Sequence, residues 1–195
     1  MAEPFVTALV LAAGGSRRFG APKQLLPYGG ATLLDHAIGV ARASGADQVV
    51  VALGGAVDRV RAQIALDGVD VAVNPRFGEG CSSSIAVAMD AVNPRCDVLV
   101  LLLGDQPGVS PRTVRSLVSG RGGAALAVCR YADGRGHPFA FGRESFAGLR
   151  ALHGDKAVWK LLERAGDAVA EVAVPGPVPR DVDTPEDYAA VLAGS

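Results

Sequence analysis

Short apolar runs alternate with stretches of mixed polarity along the first 120 residues of the chain. Four of these runs are rich in Val, Leu and Ala and contain few charged side chains, which is typical of strands that are buried on both faces of a parallel sheet. The strands predicted in this way are residues 5–11, 48–53, 69–73 and 97–103.

Between these runs, apolar residues recur every three or four positions, as in a helix with one buried face. Thr32 precedes the first such stretch and Gly45 ends it, and both residue types are common at helix termini. Further helices are predicted at residues 57–66 and 85–92. Strand alternating with helix predicts right-handed βαβ units, and therefore an α/β fold with a parallel sheet covered on both faces.

The pattern is less regular after residue 120. Strands are predicted at residues 124–129, 137–141 and 168–174, the second of them antiparallel, and helices at residues 143–152, 156–164 and 185–192. Because no linker, repeat or low-complexity segment separates the two parts, we expect residues 1–195 to form a single domain with a β-rich second half.

The composition of the chain argues against several classes of function. With 195 residues, 49% of them hydrophobic, the chain can bury one sizeable core. A net charge of −1 argues against a general nucleic-acid surface. The three cysteines fit neither a disulfide framework nor a Cys-x-x-Cys metal site, so a reducing cytoplasm is expected. The first apolar run is much shorter than the ~20 residues of a membrane span, and no basic signal-peptide start precedes it.

The candidate chemistry is concentrated in the loop after the first predicted strand. Glycines at 14, 15 and 20 allow backbone N–H groups to approach a ligand, and three cations without a carboxylate between Leu11 and Leu26 favour an anion such as a polyphosphate. The glycine spacing matches neither a Walker A loop nor the dinucleotide-binding fingerprint. A surface turn without a ligand is the alternative interpretation.

Other candidates follow later predicted strands, whose carboxyl ends share one edge of the sheet. Asp105 ends the strongest predicted strand, where it could hold Mg²⁺ or begin a turn. The serines at 82–84 could form a second anion site or simply cap a helix. Asp181 and Asp183 are candidate metal ligands or helix caps, and His137 is a candidate proton donor or phosphate contact.

Taken together, these motifs resemble the MobA-like nucleotidyltransferases, and within them the molybdenum cofactor cytidylyltransferase branch. The opening pattern Leu-Ala-Ala-Gly followed by Arg, Gly and Lys is matched from Leu11 to Lys23, with Phe19 where Met is usual. The resemblance continues in order through residues 23–27, 74–84, 105–107, 136–138, 154–156 and 181–185, and so covers nearly the whole chain.

The resemblance implies a Rossmann-like three-layer α/β/α sandwich related to the glycosyltransferase A fold. It implies transfer of a nucleoside monophosphate, CMP from CTP, to the terminal phosphate of molybdopterin or a similar small acceptor, with Mg²⁺ as cofactor and a molybdoenzyme as partner. Residues 1–120 would bind the nucleotide, and residues 121–195 would bind the acceptor and close the site.

The resemblance also implies roles for individual residues. The catalytic residues would be Arg18, Lys23 and Asp105, and the metal ligands Asp105 and Asp183. The acceptor-binding residues would be Ser84, Gln106 and His137. The nucleotide-binding residues would be Leu11, Ala12, Ala13, Gly14, Gly15, Ser16, Arg17, Arg18, Lys23, Asn74, Gly80, Ser82, Ser83 and Asp105.

Three questions stay open at this level. The Ala12-Ala13-Gly14 version of the loop resembles cytidylyltransferases more than the guanylyl branch, which leaves CTP favoured over GTP but not decided. A MobA-related NAD(P)H-dependent oxidoreductase is the alternative enzyme class. A non-catalytic protein that handles the molybdenum cofactor is the alternative outside enzymes.

Overall fold

A seven-stranded mixed sheet forms the centre of the computed structural model, which describes residues 3–16, 19–154 and 156–194. The strands in this part of the chain are β1 (Val6–Ala12), β2 (Pro27–Tyr28), β3 (Ala31–Thr32), β4 (Gln48–Leu53), β5 (Asp70–Val73), β6 (Val98–Leu103), β7 (Leu126–Tyr131), β8 (Gly134–Gly142) and β9 (Val169–Ala173). The order in the large sheet is β5-β4-β1-β6-β8-β7-β9, and β2 pairs with β3 in a separate hairpin.

Strand β8 is antiparallel to both of its neighbours, β6 and β7, whereas the other neighbouring strands of the large sheet pair in parallel. The parallel direction brings the carboxyl ends of β1, β4, β5 and β6 to one edge of the sheet. Because β8 runs in the opposite direction, its first residues lie at that same edge, which is where the site is built.

Helices cover both faces of the sheet, and this confirms the three-layer α/β/α architecture. They are α1 (Leu33–Ala43), α2 (Val57–Gln63), α3 (Cys81–Ala88), α4 (Pro111–Gly120), α5 (Phe146–Arg150), α6 (Ala157–Ala165) and α7 (Pro185–Ala193). Buried residues of α1, α2 and α4 pack on one face, and those of α3, α5 and α6 on the other. Along β1, Ala8 and Val10 belong to the first core and Leu9 to the second, because successive side chains of a strand point to opposite faces.

Helix α1 begins where the sequence predicts. Thr32 is its N-cap: the Thr32 side chain accepts a hydrogen bond from the Asp35 backbone N–H at 3.1 Å, and the Asp35 carboxylate accepts one from the Thr32 backbone N–H at 3.3 Å. This reciprocal capping box supplies partners for two backbone donors that the first helical turn leaves free.

Two predicted helices differ most from the structure in their bounds. Helix α3 covers Cys81–Ala88 instead of residues 85–92, because Gly80, with φ of +104°, turns the chain and the Ser83 hydroxyl donates to the Gly80 carbonyl at 2.7 Å. The helix predicted at 143–152 is a 3-10 turn (Arg143–Ser145) followed by the short α5.

No helix within the described residues is both long enough and apolar enough to cross a membrane.

Candidate active site

Lys23 connects the two ends of the chain at the carboxyl edge of the sheet. Its ammonium group forms salt bridges with the carboxylates of Asp105, two residues after β6, and Asp183, just before α7; the distance from Lys23 Nζ to Asp183 Oδ1 is 2.9 Å. Of the loop cations, Lys23 therefore meets Asp105 as predicted, whereas Arg17 and Arg18 lie outside the described residues.

The two carboxylates control the charge of Lys23. Burial of its side chain, which is 14% exposed, lowers the pKa, but attraction and hydrogen bonding to Asp105 and Asp183 outweigh burial, so the net pKa is raised. Lys23 therefore keeps its positive charge at neutral pH.

Asp181 is a third carboxylate beside this pair. Burial of the carboxyl group, followed by the nearby charges of Asp105 and Asp183, raises its pKa to about 6. Its Oδ1 atom accepts a hydrogen bond from the Gln106 side-chain amide at 3.0 Å, and the same amide donates to the Pro179 carbonyl at 2.8 Å. Gln106 thus ties the loop after β6 to the segment that carries both late aspartates.

The convergence of Asp105 and Asp183 fits a divalent cation. Both carboxylates already contact one positive group, and Mg²⁺ is usually held by one or two carboxylates together with waters and substrate phosphates. Within the described residues, no group of three or more His, Cys, Asp or Glu side chains is preassembled as a metal cage. The arrangement suits an ion that takes its remaining ligands from a phosphate-bearing substrate.

The glycine loop after β1 is held from behind by Gln24. The Gln24 side chain is 3% exposed, and its amide donates to the carbonyls of Ala12 at 2.7 Å and Gly14 at 3.0 Å. Ser16 has a φ of +49°, which is uncommon for a residue other than glycine, and its hydroxyl oxygen accepts from the Lys23 backbone N–H at 2.9 Å. These bonds fix the loop relative to Lys23.

Two cavities flank this loop. One, of about 440 Å³, lies beside the start of α2, and the described residues of the loop that line it are Gly14, Gly15, Ser16, Gly20, Ala21 and Pro22. Close packing here requires Gly54, since a Cβ atom at that position would lie 2.5 Å from the Ala13 carbonyl oxygen. Arg17 and Arg18, which the sequence places in this loop, lie outside the described residues.

The second cavity, of about 530 Å³, contains the charged cluster. Predicted site residues that line it are Leu11, Ala13, Gly14, Lys23, Gly80, Ser84, Asp105, His137 and Asp183. Among the described residues that were also predicted, Gly15 and Ser16 line the first cavity instead, and Ala12, Asn74, Ser82, Ser83 and Gln106 line neither of the two. The cavity therefore brings together the first loop, the start of α3, the end of β6 and the start of β8.

Asn74 lies behind the cavity wall. It is fully buried; its side-chain amide donates to the hydroxyl oxygens of Ser83 at 2.8 Å and Ser84 at 2.9 Å, and its carbonyl oxygen accepts from the Arg76 backbone N–H at 2.9 Å. These contacts make Asn74 a brace for the first turn of α3, and its predicted contact with a nucleotide stays a prediction.

His137 is uncharged at neutral pH, because burial lowers its pKa to about 4. Its ring packs on Phe139 with 4.0 Å between ring centroids, and its backbone carbonyl accepts a hydrogen bond from the Tyr131 hydroxyl at 2.7 Å. A neutral imidazole brings no positive charge to a phosphate. Any contact of His137 with an acceptor would therefore be a hydrogen bond or ring packing and not an ion pair.

Sequence reasoning gave no role to three residues that shape the site, namely Gln24, Phe77 and Trp159. Phe77 and Trp159 line the 530 Å³ cavity, and Gln24 holds the glycine loop. The position of Gln24 directly after the loop lysine was the one available signal. Phe77 and Trp159 lie in a short turn and an amphipathic helix, respectively, where an aromatic residue is most often part of the core.

Comparison with known proteins identifies the family of this fold and site. A family model described as the MobA-like NTP transferase domain matches residues 8–169. The crystal structure of Rv0371c from Mycobacterium tuberculosis H37Rv is 50% identical in sequence with a TM-score of 0.93, and the match covers 99% of this chain and 100% of that one. Another crystal structure, of Rv0371c in complex with manganese, is 49% identical with a TM-score of 0.88, covering 97% and 99%.

Two further relatives differ in their named activities. Nicotine blue oxidoreductase of Paenarthrobacter nicotinovorans is 37% identical over 156 residues, which are 75% of this chain and 74% of that protein. A nucleotidyl transferase from Methanothermobacter thermautotroptrophicus, Mth528, has a solved structure that is 25% identical with a TM-score of 0.81, covering 98% of each chain.

Proposed function

Because the chain belongs to the MobA-like NTP transferase domain family, we propose that it is a nucleotidyltransferase that moves CMP from CTP to the terminal phosphate of molybdopterin or a similar small acceptor. An oxygen of the acceptor phosphate attacks the α-phosphorus of CTP. The bond between that phosphorus and the bridging oxygen breaks, and pyrophosphate leaves with the electron pair. Because the attacking phosphate is already anionic, alignment and charge neutralisation are the main tasks of the protein.

The observation that carries this proposal is the contact of Lys23 with both Asp105 and Asp183 at the edge of the sheet where the glycine loop ends. Lys23 and Arg18 would neutralise the triphosphate, and the backbone of residues 13–16 would surround it. Asp105 and Asp183 would hold Mg²⁺, which supplies positive charge at the phosphates when bound. The manganese complex of Rv0371c supports a divalent ion in this family.

The remaining roles divide between the two halves of the chain. In this proposal residues 1–120 bind the nucleotide, with Leu11, Gly80, Ser82 and Ser83 around the base and ribose. Residues 121–195 close the site and, together with Ser84 and Gln106, contact the acceptor. The molybdoenzyme partner and the cytoplasmic location are part of the same proposal.

The test is pyrophosphate release with molybdopterin as acceptor, CTP, GTP, ATP or UTP as donor, and Mg²⁺ or Mn²⁺ as metal. Thermal shift identifies the donor beforehand, because a ligand at 100 times its Kd adds about 2.7 kcal/mol to stability. CTP should give both the largest shift and the fastest release. If no NTP shifts the melting temperature or releases pyrophosphate, the proposal is wrong; NTP binding without release from any acceptor would favour a non-catalytic cofactor-handling protein.

Asp105→Asn should reduce the rate of pyrophosphate release by about 100-fold or more, because the variant loses a charge that would hold the metal at the phosphates. Asp90→Asn is the matched control, since Asp90 forms an exposed salt bridge with Arg150 away from the cavity. Equal rates for Asp105→Asn and the control would contradict the metal role.

A second candidate activity is reduction by NAD(P)H, favoured by the 37% identity with nicotine blue oxidoreductase. The glycines at 14, 15 and 20 do not have the spacing of a dinucleotide-binding loop. Oxidation of NADPH in the presence of a dye acceptor, at a rate that CTP does not change, would support this activity over nucleotidyl transfer.

A further inference from the structure

The Gln24 side chain uses both its donor and its acceptor groups on the glycine loop. Its amide donates to the carbonyls of Ala12 at 2.7 Å and Gly14 at 3.0 Å, and its Oε1 atom accepts a hydrogen bond from the Ser16 hydroxyl at 3.3 Å. The Ser16 hydroxyl oxygen accepts in turn from the Lys23 backbone N–H at 2.9 Å. A single buried side chain therefore contacts the loop at three points and is linked to the backbone of Lys23.

The two amide contacts determine the direction of the loop's backbone N–H groups. The peptide bonds between residues 12 and 15 are trans, and in a trans peptide the C=O and N–H bonds point in opposite directions. Gln24 holds the Ala12 and Gly14 carbonyls towards itself. The N–H groups of the same two peptides, which belong to Ala13 and Gly15, therefore point away from Gln24.

The N–H groups of Ala13 and Gly15 are available to a ligand. Neither has a hydrogen-bond partner in the described part of the chain. Ala13 lines the 530 Å³ cavity, Gly15 lines the 440 Å³ cavity, and Gly14 between them lines both. Backbone N–H groups away from bulk water are rarely left unpaired, and Ala13 is 7% exposed, which indicates that a ligand completes the bonding of the loop.

We propose that Gln24 is the positioning residue of the donor site, and that it aims the N–H groups of Ala13 and Gly15 at the phosphates of the NTP. This inference rests on the proposed function and adds the residue that orients its phosphate-binding groups. Hydrogen bonds to an ionised phosphate are roughly twice as strong as those between neutral groups, and they depend on the direction of the donor. Gln24 acts through the backbone and does not itself contact the nucleotide.

The chemistry of a glutamine suits this role. Two carbonyl oxygens need two donors, and the terminal amide of Gln24 supplies both from one nitrogen. A glutamate of the same length would present acceptors to the carbonyls and repel them, and a methionine of similar volume would leave both without a partner. The Gln24→Met variant therefore keeps the packing and removes the three contacts to the loop.

The matched control is Gln48, at the first position of β4 and so at the opposite edge of the sheet. Its amide also makes two bonds, to the Asp70 carboxylate at 2.7 Å and the Ala91 carbonyl at 2.8 Å. The experiment titrates the wild type, Gln24→Met, Gln24→Asn and Gln48→Met with CTP and with inorganic triphosphate, each with Mn²⁺, by calorimetry. Thermal melting establishes that each protein is folded.

We expect Gln24→Met to bind CTP and inorganic triphosphate about tenfold more weakly than the wild type, and both by the same factor, because the weakened hydrogen bonds are those to charged phosphates. Gln24→Asn keeps an amide but withdraws it by one methylene, so it should show the same loss, and it replaces Gln24→Met if that variant does not fold. Gln48→Met should melt at a lower temperature than the wild type with both Kd values unchanged. A merely structural role of Gln24 would lower the fraction of protein that binds and leave Kd unchanged.

The inference is overturned if Gln24→Met or Gln24→Asn, once folded, binds CTP with the wild-type Kd. It is also overturned if CTP affinity falls while the affinity for inorganic triphosphate does not, since Gln24 would then act through the base or ribose, or if Gln48→Met loses affinity to the same extent. If the wild type binds neither ligand, the proposed function fails and the inference fails with it, a result that differs from each of the others.

Discussion

The positive charge of Lys23 has two competing partners, the carboxylates in this structure and the triphosphate in the proposed reaction. In this structure its ammonium is the counter-ion of Asp105 and Asp183, and its raised pKa measures that attraction. In the proposed reaction the same ammonium neutralises the triphosphate, while the two carboxylates hold a metal ion. In this proposal Lys23 couples metal binding to nucleotide binding, because its ammonium group must leave Asp105 and Asp183 when a metal ion binds to them.

Lys23→Met should therefore change two affinities in opposite directions. Binding of CTP with Mn²⁺ should weaken by about tenfold or more, because a hydrogen bond to a charged group is worth roughly 1.5–3 kcal/mol. Binding of Mn²⁺ alone, followed by electron paramagnetic resonance, should become tighter because the carboxylates have lost their counter-ion. Lys160→Met, at an exposed position of α6, should alter neither. Weaker binding of Mn²⁺ alone to Lys23→Met would refute this competition.

The segment between β9 and α7, residues 174–184, carries Asp181 and Asp183, two of the three carboxylates at the site. It is tied to the rest of the molecule by backbone contacts: Val182 N–H donates to the Asp105 carbonyl at 2.9 Å, and Ala132 N–H donates to the Gly176 carbonyl at 3.0 Å. Its end is fixed by the capping box of α7, in which the Asp187 carboxylate accepts from the Thr184 backbone N–H at 2.9 Å and the Asp183 backbone N–H at 3.3 Å. The cap therefore orients Asp183 as well as the helix.

Helices α1 and α7 both begin with a capping box, so the effect of the α7 cap on Asp183 can be separated from its effect on stability. Thr32→Ala and Thr184→Ala should each lower the free energy of unfolding by about 1 kcal/mol, measured by urea denaturation, since each removes an N-cap side chain. Only Thr184→Ala should also weaken binding of CTP with Mn²⁺ several-fold, because it releases the segment next to Asp183. An equal loss of affinity in Thr32→Ala would assign the effect to stability alone.

Strands and helices could be predicted from the sequence where burial alone determines their pattern of apolar residues. Strands β1, β4 and β6 are covered on both faces, so their apolar composition identifies them. The first turn of α3 was missed because the serines at 82–84 show no apolar periodicity: Gly80 and the hydrogen bond from Ser83 to its carbonyl set the start of the helix, and the brace from Asn74 is distant in the sequence. The sequence predicts the contact of Lys23 with Asp105, because strand topology brings both to one edge of the sheet. It gives no indication that Trp159 faces the same cavity, because that placement depends on contacts distant in the sequence.

The reversed direction of β8 completes the site. Parallel strands bring only their carboxyl ends to the site edge, so a seventh parallel strand would place residues 134–137 at the opposite edge. Antiparallel pairing with β6 instead puts His137 beside Leu103 and Asp105 in the cavity wall. The first half of the chain contributes Lys23 to this site, and the second half contributes His137 and Asp181; the pKa of each of these three groups is shifted from its ordinary value.

The assembled site should give the folded protein an unusual dependence of stability on pH, because His137 and Asp181 act with opposite sign. Folding lowers the pKa of His137 from 6.5 to about 4, so the unfolded chain binds its proton more readily and stability falls as the pH decreases from 6.5 towards 4. Folding raises the pKa of Asp181 from 3.8 to about 6, so its contribution to stability falls as the pH increases through the same window.

Urea unfolding at several pH values between 4 and 7 separates the two groups. His137→Gln should remove the loss of stability on acidification, an effect of at most about 3 kcal/mol at ~1.4 kcal/mol per pKa unit. Asp181→Asn should make the loss of stability on acidification steeper, by a smaller amount, because the Asp181 residue as a whole is open to solvent, which screens the charge of its partly buried carboxyl group. Since the two slopes oppose each other, the wild type should vary less with pH over this window than Asp181→Asn. Parallel curves for the wild type and His137→Gln would show that the His137 ring stays solvated in the folded protein, and would contradict its lowered pKa.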